Sequence, residues 1–265
     1  MALVQKPLFD PLCPLRPQLA GLQSAIRLAP ADASLRVYLF QLLCVLGDWT
    51  KALAQLQTAA RLDPAAVPMA QSYREVIRCE VLRAAVWAGH KTPAILGQPE
   101  PWLAWLVSAA GLQAQGDAAA ASRLRTQAFD CAPCPGGEID GQAFEWLADA
   151  DARLGPVAEL FIHGRYHWVP FAAIRQIEIT APQDLRDLVW TPCELTLGEG
   201  GRLAAFIPTR YQTPGAEPDD AQLLARATAW QPLDEVHAAG IGQRVWTSGD
   251  KDHALLDVRR LHFAV

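Results

Sequence analysis

The chain has 265 residues, a formal net charge of −5 at pH 7 and a pI of about 5.7. Hydrophobic residues make up 51% of it and charged residues 19%, which excludes an intrinsically disordered protein. The acidic balance argues against a general nucleic-acid-binding protein, and no apolar run is long enough to span a bilayer. We expect one or two domains and, because the N-terminus lacks the pattern of a signal peptide, a cytoplasmic protein.

The N-terminal segment is rich in proline, with Pro7, Pro11, Pro14 and Pro17 close together. Proline removes a backbone donor and clashes with the preceding helical turn. Residues 1–17 are therefore predicted to form a proline-rich arm without a regular helix.

The first half of the chain contains an internal repeat. The run that starts at Ala25 (AIRLAP) recurs from Ala59 (AARLDP), an offset of 34 residues, which is the tetratricopeptide (TPR) period. The turn of this repeat, Gly47-Asp48, recurs as Gly116-Asp117 at an offset of 69 residues, close to two periods. Helical patterns cover 35–46, 52–63, 67–87 and the segment after Pro101. We predict a TPR-like helical solenoid over 18–132, a class that presents a surface to a partner. The alternative is that these helices only pack on the second half.

Proline and glycine at 133–137 break the helical pattern and predict a linker over 133–140. The remainder, 141–265, is predicted to be a small α+β domain with an antiparallel sheet or a partly open barrel. It begins with a predicted helix over Gln142–Leu154 and a further helical turn or two over Val157–Ile162. After these we predict strands over 166–169 and 174–180, hairpins over 193–207 and 243–258, and a short helix over 220–227.

Two patterns could bind a metal. Cys131 and Cys134 have the spacing of a zinc knuckle, but no second pair of this kind supplies the remaining ligands. His163 and His167 likewise lack further ligands. We therefore predict no metal and no cofactor.

The acidic cluster Glu145, Asp149 and Asp151 has two interpretations. Paired carboxylates could serve a metal-dependent hydrolase, because on the predicted helix Glu145 and Asp149 would share a face. The favoured interpretation is a solvated or arginine-paired helix face, with Arg153, Arg165 and Arg175 as the partners. No nucleophile, phosphate-loop or dinucleotide-binding motif accompanies the cluster.

Polar and aromatic residues mark three further segments, 185–190, 208–211 and 257–260, and in the first two an arginine accompanies a tryptophan or a tyrosine. This composition is typical of an interface hot spot, and it also suits an internal arginine–carboxylate network that holds loops to a sheet. Both interpretations stay open at this point. The candidate functional or interface positions are Trp146, Asp149, Asp151, Arg153, Arg186, Asp187, Trp190, Thr209, Arg210 and Tyr211.

Longer segments in both halves resemble the ImpE/TagJ family of type VI secretion accessory proteins, over about residues 25 to 262. The segments that carry the resemblance are 35–44, 47–49, 73–74, 78–80, 97–102, 140–156, 164–171, 184–190 and 207–211.

The resemblance implies a cytosolic, non-enzymatic accessory protein of the contractile secretion machine, with a TPR-like domain followed by an α+β domain. Together with the predicted solenoid, it leads us to predict a protein-interaction adaptor. It also implies protein partners, namely the small sheath subunit TssB and the unfoldase ClpV, which recycles the contracted sheath. In some members an N-terminal helical segment contacts ClpV, and the prolines of residues 1–17 depart from that pattern.

Overall fold

A computed structural model describes residues 13–264 of the chain. The chain divides into two compact units, Met1–Ile77 and Arg78–Val265. Residues 1–12 of the predicted arm lie outside the described residues. The division at Ile77 differs from the predicted domain limits 18–132 and 141–265, which stay a prediction.

The first unit contains helices α1 (Leu15–Leu28), α2 (Ala33–Val45), α3 (Trp49–Leu62) and the beginning of α4 (Val67–Trp87). The prediction of an arm without helix is wrong for its last residues, because α1 begins at Leu15 and includes Pro17. Proline is tolerated there because the first-turn N–H groups have no partner within the helix. The core of this unit comes from α2 and α3, where Phe40, Leu56 and Ala59 are fully buried.

The predicted repeat appears as two helical hairpins with the same turn. In the first unit Gly47 takes a positive φ of 74° between α2 and α3, and the Asp48 side chain accepts a hydrogen bond from the Lys51 N–H. In the second unit α5 (Pro101–Ala114) and α6 (Ala118–Cys131) are joined in the same way. Gly116 has a φ of 88° and the Asp117 side chain caps α6. That these hairpins form a TPR-like solenoid stays a prediction.

A mostly antiparallel sheet dominates the second unit, so the predicted combination of helices followed by sheet is confirmed. Nine strands lie in the order β1-β6-β5-β9-β8-β7-β14-β2-β3, and only the β1–β6 pairing within this sheet is parallel. Their limits are β1 Ala94–Ile95, β2 Gly137–Ile139, β3 Gln142–Phe144, β5 Val157–Ile162, β6 Arg165–Pro170, β7 Ile174–Ile179, β8 Trp190–Leu197, β9 Arg202–Pro208 and β14 Arg260–Phe263.

The remaining strands form two smaller sheets. One contains β10 (Thr228–Pro232) and β11 (Ala238–Gly242), and the other has the order β13-β12-β4. The limits of the latter are β4 Ala148–Asp149, β12 Val245–Ser248 and β13 Lys251–Ala254. The predicted short helix is α7 (Asp220–Leu223). The predicted second hairpin exists with its turn at Gly249, but its second strand is 251–254 rather than 254–258.

The predicted helix over Gln142–Leu154 is wrong. This segment contains β3, β4 and turns, so Glu145 and Asp149 share no helix face. The prediction of helical turns over Val157–Ile162 is wrong as well, because the segment is β5, and all six of its residues are buried. A short and mostly apolar run cannot by itself distinguish a buried strand from a buried helix.

The core of the second unit lies under the nine-stranded sheet and contains Leu160, Phe171, Leu195, Trp246 and Leu261, each fully buried. Phe171 meets Trp246 edge to face, with ring centroids 6.0 Å apart. None of the helices described over residues 13–264 has the length and apolarity that crossing a bilayer requires.

Replacing the cap of α6 by Asp117→Ala is expected to lower the free energy of unfolding by about 1 kcal/mol, because the side chain satisfies an otherwise unpaired N–H of the first turn. Urea unfolding measures this. The control is Asp130→Ala in the last turn of the same helix, where an exposed carboxylate faces the negative end of the helix dipole. That variant should be neutral or slightly stabilising, and an equal loss in both variants would contradict the capping role.

Candidate functional site

The main polar feature of the second unit is a buried carboxylate, Glu159, in the middle of the apolar strand β5. Its side chain is 1% exposed and accepts five hydrogen bonds. Arg83 donates through Nε (2.9 Å) and Nη2 (2.8 Å), and the Trp87 indole N–H donates at 3.0 Å. The Tyr166 hydroxyl and Arg244 donate the other two. A buried charge costs several kcal/mol unless it is paired in this way.

Arg244 connects Glu159 to a second buried carboxylate, Asp149 in β4. One Nη atom of Arg244 donates to each carboxylate, while Nε donates to the Pro208 carbonyl at 2.9 Å. Asp149 also accepts hydrogen bonds from the Tyr211 hydroxyl (3.1 Å) and from a backbone N–H two residues later. The guanidinium of Arg244 lies 5.1 Å from the centre of the Tyr211 ring.

On the other side of Glu159, Arg83 connects the sheet to the last turns of α4. Its Nη1 donates to Glu80 at 3.0 Å, and Glu80 accepts the indole N–H of Trp190 at 2.9 Å. Its Nη2 also donates to the carbonyl of Arg210 at 2.9 Å. The buried network is therefore defined as Glu80, Arg83, Glu159, Arg244 and Asp149, and it joins α4, β4, β5 and the loop before β12.

Burial and charge act in opposite directions on these groups. Burial alone would raise the pKa of Glu159, but Arg83 and Arg244 outweigh it and hold that pKa well below the ordinary 4.5. For Asp149 burial is the larger effect and raises the pKa to about 6, although Arg244 acts against it. The carboxylates raise the pKa of Arg83 despite its burial, so the arginine stays charged.

A second ion pair, between Asp151 and Arg153, lies close to this network. Arg153 donates from Nε to Asp151 at 2.9 Å, and Asp151 also accepts the Gly240 N–H at 3.0 Å. The guanidinium stacks on Trp87, 4.5 Å from the ring centre. Asp151 and Arg153 were both predicted as candidate residues, and they are 0% and 6% exposed.

The other candidate residues divide between this interior and its surroundings. Trp190 and Tyr211 donate to the network carboxylates, and Arg210 contributes its carbonyl. The hydroxyl of Thr209 donates to the carbonyl of Asp187 at 3.0 Å. These contacts hold the loop before β8 against the end of β9.

Three sequence candidates lie away from the network. Arg186 pairs with Asp184, from Nε to Oδ1 at 2.9 Å. Trp146 is 37% exposed and Glu145 is exposed. The structure therefore does not bring Glu145 together with Asp149 and Asp151 as the hydrolase alternative required.

Four members of the network were not predicted: Glu80, Arg83, Glu159 and Arg244. A charged residue in the middle of an apolar run, as Glu159 is, was the one local signal that a buried ion pair exists here. The partner arginines are 76 and 85 residues from it, so no local spacing connects them.

The network can position loops, but it offers little to a reaction. The Glu159 and Asp149 oxygens already accept hydrogen bonds from arginine, tyrosine, tryptophan or backbone donors. Within residues 13–264 no group of three or more His, Cys, Asp or Glu side chains is arranged to hold a metal ion. Cys131 and Cys134 are both exposed and free.

The first unit has a different feature, a groove between α3 and α4 with a volume of about 240 Å³. We call it the α3–α4 groove. Apolar side chains and polar ones line it together, and Arg61 and Arg74 are exposed at its sides. Its lining residues are Leu53, Leu56, Gln57, Ala60, Arg61, Val67, Ala70, Gln71 and Arg74.

The chain is similar to a known family model, to a curated protein and to a solved structure. The family model described as ImpE protein matches residues 141–262. The type VI secretion system accessory component TagJ of Pseudomonas aeruginosa is 48% identical over 245 residues, which cover 92% of this chain and 86% of that protein. The crystal structure of protein VPA1032 from Vibrio parahaemolyticus has a TM-score of 0.86 at 30% identity, covering 95% of this chain and 94% of the other.

Replacing the central carboxylate by Glu159→Gln is expected to lower the free energy of unfolding at pH 7 by about 3–5 kcal/mol, because two buried arginines lose a charged partner. Glu178→Gln is the matched control, since Glu178 forms an exposed pair with Arg260 at 3.6 Å and should change stability by less than about 0.5 kcal/mol. Chemical unfolding measures both.

The wild type and the Glu159→Gln variant also test the lowered pKa of Glu159. A carboxylate with a lowered pKa stabilises the fold above its unfolded-state pKa and loses that effect as the pH falls. The stability difference between the wild type and Glu159→Gln should therefore shrink as the pH falls below about 4.5. A difference that stays constant from pH 7 to pH 3 would contradict the charged network.

Proposed function

The chain belongs to the ImpE/TagJ family of type VI secretion accessory proteins, and we propose that it is a cytoplasmic, non-enzymatic adaptor that binds the small sheath subunit TssB. Through this contact it would link the sheath to recycling by the unfoldase ClpV. The proposal rests on the family and on one observation, the α3–α4 groove in the first unit.

The composition of the groove favours an amphipathic helix as the bound element. Leu56 and Ala60 give it an apolar lining, which suits the apolar face of a helix in the helix-in-groove mode. Arg61 and Arg74 at its sides are exposed cations in a chain whose net charge is negative, and Arg74 also pairs with Glu75 at 3.5 Å. They favour a partner helix that carries acidic residues next to its apolar face.

The buried network supports a role in binding rather than catalysis. Carboxylates that already accept hydrogen bonds from arginine are poor candidates for general acid–base work, because a catalytic group must reach a substrate proton. The metal-dependent hydrolase loses its structural basis, since Glu145 is exposed and apart from the buried Asp149 and Asp151.

A charge reversal at the groove tests the proposal. The double variant Arg61→Glu, Arg74→Glu should retain at least tenfold less TssB in a pull-down from cytosol that contains the sheath subunits and ClpV, because it replaces attraction by repulsion. The control is Arg16→Glu, Arg27→Glu, two exposed arginines of α1 outside the groove. Both doubles change the net charge by the same amount, so only the position of the charges differs.

Equal loss of TssB in both double variants would mean that net charge, not the groove, decides binding. No retention of TssB by the folded wild type would overturn the adaptor role. If TssB is retained, ClpV in the same eluate supports the link to recycling, and its absence with TssB present would overturn that link.

Deletion of residues 1–132 would be a poor test of whether the helical part of the chain binds TssB. It removes Glu80, Arg83 and Trp87, whose side chains bind Glu159 or hold its arginine in place. The remaining chain would keep a buried carboxylate without those partners and would lose stability for that reason alone. Point substitutions on the surface keep the second unit intact.

A further inference from the structure

A cleft in the second unit has the features of a binding site. Its volume is about 460 Å³, within the range of ligand sites in proteins. The C-terminal parts of α4 and α5 and the loops around β10 and β11 form its walls. We call it the Arg153 cleft.

The charges that line the Arg153 cleft are one-sided. Among the described residues that line it, Arg153 carries a permanent charge and no aspartate or glutamate is present; its buried ion-pair partner Asp151 is not part of the lining. Alanine, proline and leucine side chains form most of the remaining wall, with Leu233 among them. The cleft therefore combines an apolar wall with a cation, in a chain of net charge −5.

Several contacts fix the position of Arg153, and one nitrogen of its guanidinium group is left without an acceptor among the described residues. Its Nε and Nη2 bind Asp151, Nη2 also donates to Thr213 at 3.1 Å, and its guanidinium rests on Trp87. No described residue accepts a hydrogen bond from Nη1. Since the side chain is 94% buried and lines the cleft, this donor group has a fixed position.

A second arginine, Arg125, is hydrogen-bonded to a residue that lines the cleft. Arg125 is 1% exposed and donates to Asp234 and to Gln113, each at 3.2 Å, while its Nε has no partner among the described residues. Gln113 itself lines the cleft, and its amide oxygen is occupied by Arg125. Its amide N–H₂ therefore adds a second donor to the residues that line the cleft.

We propose that the Arg153 cleft binds a short peptide segment through an aspartate or glutamate side chain, which accepts hydrogen bonds from Arg153 Nη1 and the Gln113 amide. A charged donor prefers a carboxylate to a neutral acceptor, and the apolar wall accommodates the neighbouring residues of the segment. The choice of a peptide rests on the proposed adaptor function; the site itself is separate from the α3–α4 groove.

The test titrates ¹⁵N-labelled full-length protein with blocked pentapeptides, followed by NMR. The probe is Ac-Ala-Leu-Glu-Leu-Ala-NH₂, and its comparisons are the same peptide with Gln in the centre and that Gln peptide with a free C-terminal carboxylate. The Glu peptide should give saturable shifts at residues that line the cleft, such as Ala88 and Gln113. The blocked Gln peptide should bind at least tenfold more weakly.

Two variants test whether the peptide binds in the cleft. Ala114→Trp fills the cleft from an exposed position on α5 and should abolish binding without touching Arg153. Gln115→Trp is the control, one residue further on, exposed and outside the lining. It should bind like the wild type, and so should Arg61→Glu, Arg74→Glu.

Equal binding of the Glu and blocked Gln peptides, no binding up to 10 mM, or unchanged binding by Ala114→Trp would each overturn the proposal. Equal binding of the Gln peptide with a free terminus would overturn the assignment to a side chain. A cleft that fails these tests while the Arg61→Glu, Arg74→Glu variant still loses TssB leaves the adaptor function standing. If the cleft passes these tests and the Arg61→Glu, Arg74→Glu variant retains TssB like the wild type, the cleft proposal stands and the groove proposal fails.

Discussion

The second unit depends on one constraint: a carboxylate lies inside an apolar sheet and must be neutralised there. Glu159 sits on a strand whose six residues are all buried, so water cannot solvate its charge. Arg83 from α4 and Arg244 from the loop before β12 supply the compensating charges. Because removing either partner would leave a buried charge, the helix, the sheet and the loop are held in one arrangement.

Sequence reasoning succeeded where structure is set locally. The glycine and aspartate at 47–48 and 116–117 mark helical hairpins because a left-handed glycine and an N-cap act within a few residues. It failed over 142–154, where apolar residues at helical spacing lie in short strands and turns. It found Asp149, Arg153 and Tyr211 but not Arg244, the charged partner of Asp149, because Arg244 is 95 residues away and leaves no local pattern.

The α3–α4 groove and the Arg153 cleft differ from the buried network in how far their arginines are already paired. In the network the arginines are buried between carboxylates and have little left to offer a ligand. At the α3–α4 groove, Arg61 and Arg74 are exposed, and in the Arg153 cleft one guanidinium nitrogen keeps its donors. Helix α4 contributes to each of these three features, with residues before Ile77 in the groove and later ones in the network and the cleft.

The distance along the chain between the network residues affects when the second unit can fold during synthesis. During synthesis α4 leaves the ribosome with Arg83 long before Glu159, and Arg244 follows another 85 residues later. A nascent chain that ends before Arg244 holds two carboxylates with incomplete compensation, and such long-range contacts form slowly. We therefore expect the second unit to reach its native state only after Arg244 has left the ribosome, so that translation products that end before it are substrates for chaperones and proteases.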